Sequence, residues 1–268
     1  MKSKYNRRNE AMNPKSQLLP VDDSIPTFLS NCVVRIIISN KSMGTGFFIK
    51  FESNNKYYYY LMTCHHVIKD EYIKSKETII IINKNFNEIK MNLDGRFIKN
   101  FEDLNIDIII IEIKEEDGIN KNFFLNPDMS YKSGYNQFIN KNVYILQYPS
   151  YRPFSYSKNI IKSIDLEENE FTHLASTEHG SSGSPIFLEN HETVLGIHTS
   201  GYEGNNEIEN YGIFIGPLVE FFKKNIKPNK SHKVLELVFS NIYERGYFFQ
   251  RFITDYFFFD LLILEIIN

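Results

Sequence analysis

The chain has 268 residues, enough for one large all-β domain or two small ones, and its 42% hydrophobic and 24% charged content is ordinary for a globular protein. A net charge of −3 gives no general attraction to nucleic acid or anionic membrane, and two cysteines, Cys32 and Cys64, exclude a disulfide framework. The N-terminus lacks the apolar stretch of an export signal, and no run of about 18 apolar residues offers a membrane span, so the expected compartment is reducing and intracellular.

Residues 1–20 are polar and aperiodic, and the stretch 1–27 is expected as a mobile N-terminal arm. Short runs rich in Ile, Val, Tyr and Phe then predict strands over Val33–Ser39, Gly46–Phe51, Tyr57–Thr63, Thr78–Asn83, Asp107–Ile113, Val143–Gln147, Ser184–Leu188, Thr193–Thr199 and Tyr211–Ile215. Glu52–Lys56 and Glu189–Glu192 are polar enough for hairpin connections. A single late helix is expected over Gly216–Lys224, with Pro217 in its first turn and lysines near its end. Many short strands before one helix make an antiparallel all-β barrel or sandwich, spanning 28–226. The extension 227–268 mixes aromatic clusters with Asp255, Asp260 and Glu265, and this acidic pattern fits packing on the domain better than lying on a membrane.

Three motifs carry chemistry. Gly180-Ser181-Ser182-Gly183-Ser184-Pro185 precedes a predicted strand. Its glycines allow a tight turn, and Ser182 becomes a nucleophile if a base removes its proton. The N–H groups of Gly180 and Ser182 can converge on an oxyanion. The apolar run Leu61-Met62-Thr63 ends in Cys64-His65-His66, which puts a histidine base on a firm element and leaves two candidates. Asp107 opens the run Ile108–Ile111, where an unpaired acid is costly and a histidine N–H is a suitable partner. The order His66, Asp107, Ser182, with spacings of 41 and 75, does not suit the α/β-hydrolase arrangement, and no H-E-x-x-H or paired C-x-x-C marks a metal site. No metal or other cofactor is expected.

With these motifs the chain resembles the trypsin-like, chymotrypsin-fold serine peptidases over residues 28–226, and among them the glutamyl endopeptidases. Gly44-Thr45-Gly46-Phe47 is similar to their G-[ST]-G-F strand. Thr63-Cys64-His65-His66-Val67 matches T-x-x-H-V, which selects His66 over His65. Asp107-Ile108-Ile109-Ile110 matches the strand of the acid, and Gly180–Pro185 matches G-N-S-G-S-P with Ser181 in place of Asn. Gly196-Ile197-His198 matches the specificity strand. The resemblance implies two six-stranded antiparallel barrels with the site between them, and a His66–Asp107–Ser182 triad acting on protein or peptide substrates.

It also implies a substrate pocket. Ser176, six residues before Ser182, takes the position of the pocket floor, so the acid that binds Lys or Arg is missing. Thr177 and His198 match the positions that hold a substrate carboxylate, and Thr199 and Gly201 would pair with an extended peptide. Cleavage after Glu, then Gln, is the expectation. His173, His179, His191 and His232 are expected at the surface. The competing class is a peptidase-fold module that binds peptides without cleaving them, and the complete triad argues against it.

Overall fold

Runs of β-branched and aromatic residues that alternate between core and solvent favour extended strands, and fourteen of them build two sheets. The computed structural model describes residues 12–14, 16–38, 42–85, 87–150, 152–203 and 208–225; the extension 227–268, and Ser39 at the end of the first predicted strand, lie outside them. A two-residue strand β1 (Leu19–Pro20) and a short helix α1 (Thr27–Cys32) come first. The first sheet then follows as β2 (Val33–Ile38), β3 (Ser42–Ser53), β4 (Lys56–Thr63), β5 (Thr78–Ile82), β6 (Glu88–Asn92), β7 (Ile98–Phe101) and β8 (Ile106–Glu112). Helix α2 (Asp70–Lys74) lies between β4 and β5.

All pairings in this sheet are antiparallel, in the order β6-β5-β2-β3-β4-β8-β7. The predicted hairpin joins β3 and β4 through Asn54 and Asn55, both at positive φ, which suits the twist of a tight hairpin. Ile108 to Ile111 of β8 are all fully buried, so both faces of that strand are covered. At the two edges, β6 and β7 carry Lys90, Glu88 and Lys99 and bury Met91 and Phe101. Charged, short edges discourage further pairing, and among the described residues β6 and β7 do not meet. The first sheet is therefore a curled half-barrel, and with the second sheet it makes the two antiparallel barrels that the resemblance implied, one of them open.

The second sheet closes. Its strands are β9 (Asn142–Gln147), β10 (Ser155–Asp165), β11 (Glu170–His173), β12 (Pro185–Leu188), β13 (Val194–Glu203) and β14 (Ile208–Phe214). The order β10-β11-β14-β13-β12-β9 returns to β10 through a β9–β10 pairing. Phe138, Ile145, Phe171, Ile186, Leu195 and Phe214 fill its centre. Helix α3 (Gly216–Asn225), as predicted from its Pro and Lys, leaves this barrel to pack on the other sheet. Its Phe222 stacks on Phe51 of β3 at 4.1 Å, and Phe221 meets Phe101 of β7 edge-on.

The arm expected over 1–27 is corrected for its described part. Leu19 and Pro20 pair with Tyr156 and Ser155 at the start of β10, on the edge that β11 leaves open further along. Asn13, Ser16 and Leu18 are buried there. A polar sequence without periodicity docks in this case through backbone and hydroxyl hydrogen bonds, which leave no hydrophobic pattern to read.

Candidate active site

Strands β4 and β8 bring the histidine turn and the acid together. Their last paired residues are Thr63 and Ile109, so the chain beyond Thr63 and the chain before Ile109 leave the same end of the sheet. His66 Nδ1 lies 2.5 Å from Asp107 Oδ2, and the His66 backbone N–H donates to Oδ1 at 3.0 Å. Two bonds to one carboxylate fix both the ring and its main chain. Asp107 is mostly buried while His66 is about half exposed, so the carboxylate is shielded and the imidazole reaches solvent. His65 turns elsewhere, with its two ring nitrogens facing Asp70 and Glu102.

The serine loop is held by its own hydroxyls. Ser181 N–H donates to Glu178 O at 2.9 Å, Ser181 Oγ accepts from Glu178 N, and Ser184 N–H and Oγ both donate to Ser181 O. Ser181 thus closes the turn. Ser182 is almost fully buried, and its Oγ donates to Thr199 O at 3.1 Å. The loop is tied to the first sheet by Thr45, whose N–H donates to Ser182 O at 3.0 Å and whose Oγ1 donates to Gly180 O at 2.8 Å. Cys64 Sγ donates to His198 O at 3.3 Å, so the histidine turn also adjoins β13.

Gly180 has φ +94°, and a Cβ there would sit 2.7 Å from Ser150 Oγ. Ser150 N–H donates to His179 O at 2.8 Å. In a trans peptide the carbonyl and the following N–H point in opposite directions, so this bond also sets where Gly180 N–H points. Ser150 Oγ meets His179 Nδ1 as well, at 2.8 Å.

The expected pocket residues divide. Ser176 is fully buried, and its Oγ donates towards Asn13 O and Ser16 O and accepts from Asn13 N–H at 2.8 Å. The docked N-terminal segment occupies that side. Thr177 and His198 are also fully buried, and Thr177 Oγ1 donates to Asn210 Oδ1 at 2.8 Å. Asn210, on β14, holds Ala175 O with its amide; it stands between Glu209 and Tyr211, and nothing in the sequence singled it out. Thr199 and Gly201 lie buried on β13, and Thr199 O accepts from the serine hydroxyl.

Among the described residues two sets of side chains have ligand atoms close enough for an ion, Cys64–His66–Asp107 and His65–Asp70–Glu102. In the second, the carboxylates face different nitrogens of one ring, which is ion-pair geometry rather than convergence on one point.

His173 departs from its expected surface position. It is fully buried on β11, with its ring edge-on to His198 at 5.5 Å. Burial, and secondarily His198, hold its pKa well below the ordinary value. Between that lowered value and about 6.5, where the unfolded histidine titrates, the unfolded chain binds more protons than the folded one. This contribution is complete above about 6.5 and is lost as pH falls below it, by up to about 1.4 kcal/mol per pH unit. Urea unfolding at several pH values should show that slope, and His173→Gln should flatten it. A variant curve parallel to the parent's would count against the assignment.

Cys32 and Cys64 are both buried and form no disulfide with each other, and burial pushes the Cys32 thiol up. A thiol reagent should therefore titrate two groups in denaturant under non-reducing conditions and react slowly with either in the folded protein. Rapid reaction without denaturant would contradict this packing.

Residues 44–197 match the family model of the trypsin-like peptidase domain. No curated protein sequence matches the chain. Among solved structures it is similar to a Glu endopeptidase determined in complex with MPD, at 16% identity over 79% of this chain and 97% of that one, with a TM-score of 0.58. It is also similar to Deg5, at 15% identity over 71% and 87% of the two chains, with a TM-score of 0.51. At these identities the likeness is one of fold. Among the described residues no helix is long and apolar enough to cross a membrane.

Proposed function

The chain belongs to the trypsin-like peptidase family, and we propose that it is a serine endopeptidase in which Ser182 is the nucleophile and His66 the base. Ser182 Oγ attacks the peptide carbonyl as His66 takes its proton. Asp107 keeps the other proton on Nδ1 and stabilises the imidazolium. The N–H groups of Gly180 and Ser182 hold the oxyanion. His66 returns the proton to the departing amine, leaving an acyl-enzyme, and then activates the water that releases Ser182. The supporting observation is the two-point contact of His66 on Asp107, beside a serine loop tied to the same sheet by Thr45.

The substrate preference that fits is Glu, then Gln, before the scissile bond. Thr177, His198 and Asn210 are fully buried polar residues without negative charge, and His198 O accepts from Gly183 N–H of the serine loop. A Lys or Arg side chain would bury a cation without a counter-charge there, at a cost on the order of several kcal/mol. The likeness to a Glu endopeptidase fold agrees with this preference.

A fluorophosphonate probe should label the protein and fail to label Ser182→Ala. A peptide library read by mass spectrometry should show cleavage after Glu, then Gln, with little after Lys, Arg or Phe. A profile dominated by basic or aromatic residues would overturn the preference and leave the triad standing.

A further inference from the structure

We propose that His65 is a positioning residue for the His66–Asp107 pair; this rests on the triad reading above and adds to it. The register between β4 and β8 ends at Thr63 and Ile109, so beyond it the base and the acid lie on two separate segments. His65 bridges those segments. Its backbone N–H donates to Asp107 O at 3.4 Å. Its ring, only 11% exposed, places Nδ1 3.0 Å from Glu102 Oε1 and Nε2 3.1 Å from Asp70 Oδ1.

Each partner sits where it matters. Asp70 opens α2, directly after the histidine turn, and also accepts from Asn100 Nδ2 at 3.0 Å. Glu102 opens the turn Glu102–Leu104, which passes through Asn105 at φ 58° into the residues that carry Asp107. Holding Glu102 therefore sets the direction from which the chain enters β8. Each ring nitrogen faces one carboxylate, so one side chain links the segment after the histidine turn to the segment that leads into Asp107. The neighbouring pairs Lys69–Glu71 and Lys99–Asp103 carry their own counter-charges.

Misplacement of reacting groups by about 1 Å can cost about a hundredfold in rate. His65→Ala should accordingly lower kcat by about 10- to 100-fold. KM should stay nearly constant, because His198 lies on β13 of the other sheet and Thr177 in the loop between β11 and β12.

The test measures kcat and KM on a Glu-containing peptide, together with the rate of fluorophosphonate labelling, for wild type, His65→Ala, Glu102→Gln, Asp107→Asn and His65→Ala combined with Asp107→Asn. If His65 acts through Asp107, its removal should matter little once the acid no longer orients His66. A merely structural role predicts the same factor in both backgrounds. Glu102→Gln keeps the shape of the exposed partner and should show a smaller loss of the same kind; if His65→Ala fails to fold, this variant carries the test. Full kcat in both His65→Ala and Glu102→Gln, or equal factors with and without Asp107, overturns the proposal while labelling of wild type at Ser182 upholds the triad. A wild type that is not labelled overturns the triad reading and this proposal with it.

Discussion

Ser182→Ala is expected to lower turnover of a Glu-containing peptide by about 10⁶-fold, to the residual rate that binding and oxyanion stabilisation supply. The hydroxyl is the sole proposed nucleophile, so its removal leaves no covalent route. His66→Ala should lose a similar factor, and the double variant hardly more, because base and nucleophile act as a unit. Loss of activity will not mean loss of fold. The Ser182 side chain donates one described hydrogen bond, to Thr199 O, and deleting it costs about 0.5–1.5 kcal/mol. Turnover and thermal unfolding measured on the same samples separate the two effects. Unchanged turnover in either single variant would end the proposed mechanism.

Gly183→Ala is expected to damage both stability and activity, and it tests the assembly of the site independently of any substrate. Gly183 has φ +90°, where a side chain is strained by about 1–3 kcal/mol. An added Cβ would also meet Thr45 O at 2.1 Å and Thr63 Oγ1 at 2.3 Å, far inside contact distance. Neither atom yields easily. Thr63 Oγ1 is bonded to Thr45 O, Thr45 N–H is bonded to Ser182 O, and both threonines are fully buried. The serine loop would have to leave the first sheet, so a total cost of several kcal/mol is expected from strain and overpacking together. Thermal unfolding should fall steeply, and whatever folds should react slowly with a fluorophosphonate. A variant with normal unfolding and normal labelling would mean that the loop does not pack on Thr45 and Thr63 as described.

Much of the strand pattern was legible because burial repeats along it. The runs at 57–63, 107–113 and 143–147 are apolar enough to declare themselves, and Pro217 with the following lysines marked α3. Strands β6, β7, β10 and β11 were not predicted. The edge strands β6 and β7 are half polar, and β10 bends through a register shift near Ile161 while serving β9 on one side and β1 and β11 on the other, so its alternation breaks. Leu19–Pro20 is too short to carry a period at all.

The sequence by itself determined the all-β class, the order His66, Asp107, Ser182, and the glycines around the serine, because these depend on residue type and local spacing. It also narrowed the base to His65 or His66. Only the tertiary structure decided what each of those two rings faces, since both leave the same turn and the partners Asp107, Asp70 and Glu102 arrive from elsewhere in the chain. The same holds for Ser176, whose hydroxyl is taken by residues more than 150 positions away, and for His173, buried against His198. A side chain's partners across a barrel are set by strand register and closure, and those are properties of the whole sheet rather than of any window of sequence.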